Sequence, residues 1–209
     1  MCPSHHLPTD LEPLLHISVA IVQGDWTRLR ELRLGAGPGQ PNRAWREAVL
    51  QTHLFAGCPR LVEALGVIDK AGGLGEVDPE ECMPKCDESE DIARGFDFFG
   101  QIYGEGAGKV RQMLDGYHPE WGRWILGHAY GRVLARPGLA PDLRELCAVV
   151  CLAALDQERQ LASHARGAVR CGASPTAVHA ALRTVEARLD PELMARAEKV
   201  IQAFARDEA

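Results

Sequence analysis

The chain has 209 residues, a formal net charge of −6 and seven cysteines. Such a length supports one large or two small domains with a real core, and the acidic balance argues against nucleic acid or an anionic membrane as the main partner. No apolar run reaches membrane-spanning length, and the N-terminal MCPSHHLPTD lacks a charged-then-apolar signal pattern, so a soluble cytoplasmic protein is expected, its odd cysteine count arguing against a disulfide framework.

Leu, Ala, Arg and Glu dominate and β-branched runs are few, which predicts an all-α fold. Residues 1–9 read as an arm, with His5 and His6 as a polar tail rather than a metal site. From Asp10 a helix carries Leu14, Leu15, Ile17, Val19, Ala20 and Val22 to a stop at Gly24. Thr27 to Leu34 forms a second helix, closed by the loop GAGPGQP at 35–41. Asn42 is a plausible N-cap for a third helix from Arg43. Pro59 kinks or restarts it, and a further helix runs to about Lys70.

Residues 71–91, rich in glycine, proline and acids, read as a linker. Cys82 and Cys86 lie within it, but two thiols fall short of the four ligands of a structural zinc site. From Asp91 a helix carries Phe96, Phe98, Phe99, Ile102 and Tyr103, an aromatic cluster that serves as core or walls a pocket. Gly104 to Gly108 breaks it. Trp121 to Arg136 is expected to be another helix, ended by Pro137-Gly138.

Next comes an antiparallel αα-hairpin. Leu143 to Leu155 forms its first arm, the chain turns at Asp156, and Gln157 to Arg170 forms the second. Gly172 stops it, and Ser174-Pro175 opens the next helix as N-cap and first helical residue. Glu145 lies about 15 Å before the turn and His164 about 12 Å after it, at 1.5 Å per residue, so the two can meet if both face inward. Gln157, Gln160, His164, Gly167, Ala168 and Cys171 share one face of the second arm. Spacing alone leaves two readings equally open: a binding site among small residues, or a helix contact with a satisfied core histidine.

The order of elements repeats. A shift of 132 positions puts Leu14 on Leu146, Leu29 on Leu161, Gly35-Ala36 on Gly167-Ala168 and Pro59 on Pro191. This reads as an internal duplication of one helical unit. In the first copy the slots of Glu145 and His164 hold Pro13 and Leu32, so that copy lacks the acid and the base. The expected organisation is a degenerate first repeat at 10–70, a linker at 71–91, and a second repeat with lead-in helices and the site at 92–209.

Arg144-Glu145-Leu146, then Gln160-Leu161, His164, Arg166-Gly167-Ala168 and Gly172 form a pattern that resembles the carboxymuconolactone decarboxylase family, which shares its fold with the alkylhydroperoxidase D proteins. The stretch from Tyr130 to Leu139 resembles the family's lead-in, and the likeness covers about Trp121 to Leu182. Leu54 to Pro59 also resembles the family's aromatic-Ala-Gly-x-Pro segment. The peroxidase branch carries a Cys-x-x-Cys pair where this chain has Gln157 and Gln160.

The resemblance implies alkylhydroperoxidase D-like helical units, here in tandem by the internal duplication, assembled as a homo-oligomer, with two units per chain suggesting a trimer or dimer, acting on a small molecule without metal or cofactor. Glu145 and His164 are then the catalytic pair, because a histidine trades protons near neutral pH and a carboxylate orients it. Gln157, Gln160, His128 and Tyr130 are the substrate-binding candidates. Arg132, Arg136 and Arg166 are candidates to hold an anion, although Arg166 points away from His164 and suits a carboxylate partner. Cys147 and Cys151 read as core, and Cys171 shares the face of His164 about 10 Å away. No Ser-His-Asp order, phosphate loop, dinucleotide fingerprint or metal-binding helix motif is present.

Three functions follow: a cofactor-free decarboxylase-like enzyme acting on a small carboxylic acid or lactone, a thiol-dependent hydroperoxide reductase, or a non-catalytic helical assembly protein.

Overall fold

Two helices that are apolar on nearly every side set the centre of the molecule, because such helices are stable only when neighbours surround them. A computed structural model describes residue 7 and residues 10–37, 39–82 and 87–206. The arm with His5 and His6, and Cys86 of the linker pair, lie outside the described residues. Helix α1 spans Leu11–Gln23 and buries Leu14, Leu15, Ile17, Ile21 and their neighbours. It packs on α9, Pro141–Ala154, in which every residue from Arg144 to Ala153 is buried. No strand occurs among the described residues, and the fold is all-α.

Around α1 the first half lays α2 (Trp26–Leu34), α3 (Arg43–Gln51), the short α4 (His53–Ala56) and α5 (Cys58–Lys70). Around α9 the second half lays α10 (Glu158–Arg170), α11 (Pro175–Thr184), a 3-10 turn at Glu186–Arg188 and α12 (Pro191–Phe204). The N-caps expected from sequence form: Asn42 accepts from the Trp45 N–H and Ser174 from the Ala177 N–H. The turns after α1 and α9 are also alike. Gly24 and Asp156 both take the left-handed conformation, at φ 74° and 56°. Asp156 tolerates it as Asn and Asp do, and its carboxylate pairs with Arg196 at 2.9 Å.

Between the halves, α6 (Glu88–Tyr103) begins inside the expected linker, since Asp87 accepts from the Glu90 N–H and caps it early. Against α6 lies a segment that departs from the expected single helix over 121–136. It is a short α8, Pro119–Trp124, followed by a π-helix, Ile125–Leu134. Hydrophobic periodicity cannot separate the two windings over so few residues. The contact is backbone on backbone: a Cβ at Gly95 would lie 1.9 Å from the Leu126 carbonyl oxygen, and one at Gly131 2.0 Å from that of Asp91. Gly95→Ala is therefore expected to cost about 3 kcal/mol, the upper end of overpacking, because backbone must move. Gly100→Ala, on the same helix with nothing within 4 Å of the added carbon, is expected to gain about 0.5–1 kcal/mol. Urea unfolding of both variants checks the contrast.

The loop expected at 104–108 is short. A 3-10 turn at Gly104–Gly106 leads at once into α7, Ala107–Tyr117, a helix with no buried residue. Its glycines mask its helical pattern in the sequence. A buried ionic network then ties α3 to the entry of α9. Arg144, fully buried, reaches Glu47 at 3.1 Å, Gln51 at 3.1 Å and the Arg136 carbonyl at 3.0 Å. Arg136 holds the same Glu47 through two nitrogens, the closest contact being 2.9 Å. This network fixes the position of the next residue along the chain, Glu145.

Candidate active site

The α9–α10 hairpin brings Glu145 and His164 together. Glu145 Oε2 lies 2.8 Å from His164 Nδ1, with Glu145 fully buried and His164 6 % exposed. Small neighbours make this possible: a Cβ at Gly167 would sit 2.7 Å from Glu145 Oε2. The other carboxylate oxygen, Oε1, is buried without a hydrogen-bond partner in the protein. With Nδ1 engaged by the carboxylate, Nε2 is the ring nitrogen left for a bound molecule. Phe55 stands edge-on to the imidazole, 6.1 Å between ring centroids.

His164 lines a cavity of about 450 Å³, within the size range of small-molecule sites. Its walls differ in character. The polar wall comes from α10 and the residue before it: Gln157, Arg159, Gln160, Ser163 and His164. The opposite wall is largely apolar, with Phe55 of α4, Phe99 of α6, Met113 and Leu114 of α7, and Trp121 of α8. Tyr103 and Tyr130 meet there, hydroxyl to hydroxyl at 3.3 Å. Burial pushes both phenols above their ordinary pKa, so they stay protonated and can donate hydrogen bonds.

Of the expected binding residues, Gln157, Gln160 and Tyr130 line this cavity. His128 does not, which corrects its expected place. Two residues before Tyr130, it projects from another side of the helix, and its Nε2 lies 2.8 Å from Nε2 of His53 in a separate surface depression. Arg132 pairs with Asp91 at 3.2 Å and Arg136 with Glu47. Arg166 lies over the Phe204 ring at 4.8 Å. The cation that does line the cavity, Arg159, was missed. It lies about 140° around the helix from His164, off the face defined by Gln157, Gln160 and His164, and only its register with Ser163 four residues later could have signalled it.

His128 gives the protein a pH dependence. Burial first, then His53 and Arg132, hold it below its ordinary 6.5. His16 is held down likewise, by burial and then by Arg28 and Arg188. Below about pH 6.5 the unfolded chain therefore binds more protons than the folded one. Stability is expected to be full above that pH and to fall as the pH drops from about 7 to 5. His128→Gln is expected to flatten the fall in the urea midpoint.

Three of the described thiols are held protonated by their surroundings. Burial pushes Cys147 and Cys171 up to about 12, Cys171 being raised further by Glu145 and Asp142. Cys151 is raised well above the usual thiol range. Cys58 and Cys82 are exposed. No group of three or more His, Cys, Asp or Glu that could hold a metal occurs among the described residues.

Residues 119–203 match the model of the Carboxymuconolactone decarboxylase family. The match contains α8 to α10, and with them Glu145, His164, Tyr130 and both glutamines; Phe55 and Phe99 lie outside it. No curated protein matches the chain.

Proposed function

Residues 119–203 belong to the carboxymuconolactone decarboxylase family, and from that premise we propose that the chain is an acid–base enzyme acting on a small carboxylic acid or lactone. The observation that carries this is the 2.8 Å contact between Glu145 and His164 at the wall of a cavity. The carboxylate fixes the imidazole so that Nε2 faces the ligand and gives or takes its proton there. In a decarboxylation, Nε2–H protonates the carbon that loses carbon dioxide, and the electrons of the broken carbon–carbon bond form the new carbon–hydrogen bond. Glu145 stabilises the imidazolium when the proton sits on the ring.

The matched order of helices about α1 and α9, with left-handed Gly24 and Asp156 at equivalent turns, supports reading the chain as a duplicated unit. Its first copy, with Pro13 and Leu32 in place of the pair, contributes Leu54 and Phe55 to the cavity wall instead. Assembly of copies into a homo-oligomer is part of the same reading, and light scattering at micromolar concentration tests it.

The test of the activity is a panel of alicyclic and aromatic acids and lactones, followed by carbon dioxide release and loss of lactone absorbance. The native protein is expected to turn over at least one member without added metal. With a dithiol reductant and an organic hydroperoxide it is expected to be inert, because Gln157 and Gln160 supply no thiolate and Cys171 is held protonated. Hydroperoxide reduction lost on Cys171→Ser would transfer the chemistry to that thiol and overturn the proposal.

A further inference from the structure

The cavity is divided too sharply to suit a ligand that is polar all round. Every strongly polar lining residue other than the tyrosines lies between Gln157 and His164, and the facing wall is Phe, Leu, Met, Val and Trp. Among the lining residues Arg159 is the one permanent cation. Its Nη2 meets the Met113 sulfur at 2.8 Å, and no carboxylate pairs with it among the described residues. A thioether is a weak acceptor for a guanidinium, which is built to hold a planar two-oxygen anion. Nearly all the other arginines near the hairpin have strong partners: Arg144 and Arg136 share Glu47, Arg132 takes Asp91, and Arg196 takes Asp156.

We infer that this cavity takes an organic anion with a single carboxylate-class head and an apolar, ring-bearing body, the head on Arg159 and the body against the aromatic wall. The inference rests on reading the cavity as the substrate site, and it names the substrate class. The anion replaces the Met113 sulfur on the guanidinium, and the ring lies against Phe55, Phe99 and Trp121. A molecule seated so reaches from Arg159 toward His164, five residues or about 1.4 turns further along α10, with the hydroxyls of Tyr103 and Tyr130 in the same cavity. A compact polyanion fails on two counts: it finds one cation, and it must desolvate its remaining charges against aromatic rings.

Two fluorescent probes of nearly the same shape separate the terms. Anilinonaphthalene sulfonate carries one anion on an aromatic body, and phenylnaphthylamine is its neutral counterpart. The full chain is expected to bind the sulfonate saturably, one per chain, at least about tenfold more tightly than the neutral amine, as a charge-assisted hydrogen bond implies. Arg159→Gln is expected to erase that preference while leaving the affinity for the neutral probe unchanged. Ala129→Trp and, on the exposed α7, Met113→Trp are expected to weaken both probes by filling the cavity. Biphenyl carboxylate is expected to compete, and acetate is not.

Equal affinity for the two probes would overturn the inference, as would sulfonate binding untouched by Arg159→Gln. Binding that survives both tryptophan variants would place the probe on an outer patch and overturn it as well. Because the readout is binding, these results stand whether or not any acid or lactone is turned over; a chain that binds as expected but catalyses nothing contradicts the enzyme proposal alone.

Discussion

Glu47→Ala is expected to cost about 3–5 kcal/mol of folding stability, the cost of breaking a buried ion pair by removing one partner. Glu47 is 1 % exposed and serves two guanidinium groups at once, with Arg144 fully buried and Arg136 mostly so. Its loss leaves Arg144 in the interior with only the Gln51 side chain and a backbone carbonyl for its charge. Burial already pulls the Arg144 pKa below its ordinary value, with Glu47 opposing that pull. A domain stable by about 5–15 kcal/mol cannot lose so much without a large rise in its unfolded fraction. Urea unfolding followed by circular dichroism measures the change. A cost under about 1 kcal/mol would mean that the network contributes no more than a surface pair. Since Arg144 is the neighbour of Glu145, Glu47→Ala is also expected to lower turnover at any temperature where it still folds.

His164→Ala is expected to reduce turnover by about 10²–10⁴-fold, the usual contribution of a positioned acid–base group, with helix content unchanged. The imidazole faces a cavity, so its loss strips no core contact comparable to those of Leu146 or Leu161, and the cost to the fold is that of leaving the buried Glu145 carboxyl without its partner. Glu145→Gln keeps the shape but not the charge, and is expected to lose turnover through the histidine it orients. Leu32→Ala is the control from the equivalent slot of the first half. Partly buried against the core, Leu32 is expected to cost about 2 kcal/mol of stability and no activity. Lost activity in a folded Leu32→Ala, with His164→Ala still active, would put the chemistry in the wrong half of the chain.

What the sequence reveals here is chiefly local. The pairing of Glu145 with His164 is legible because both lie on one hairpin, where counting residues from the turn gives their depth. Helix starts are legible at Asn42 and Ser174-Pro175 because capping residues and N-terminal prolines have positional meaning. Features that depend on distant chain are hidden. Phe55 reaches His164 from the other half of the molecule. The burial of Arg144 depends on Glu47, 97 residues away in the chain, and charged residues are rarely fully buried. His128 and Tyr130 share a stretch of chain, but the helix aims one at His53 and the other at the cavity. Helix α7 is disguised by Gly106, Gly108 and Gly116, although Val110, Met113, Leu114 and Tyr117 recur at helical spacing and line the cavity.

On the proposed mechanism His164, oriented by Glu145, exchanges a proton with a carbon of a bound molecule. Proton exchange is measurable without full turnover. Acids and lactones with a carbon–hydrogen bond next to the carbonyl, incubated with the protein in heavy water and followed by proton NMR, report it directly. The native protein is expected to exchange that hydrogen for deuterium in at least one ring-bearing acid, with the rate falling to background in His164→Ala. Exchange that proceeds equally well in folded His164→Ala would contradict the claim.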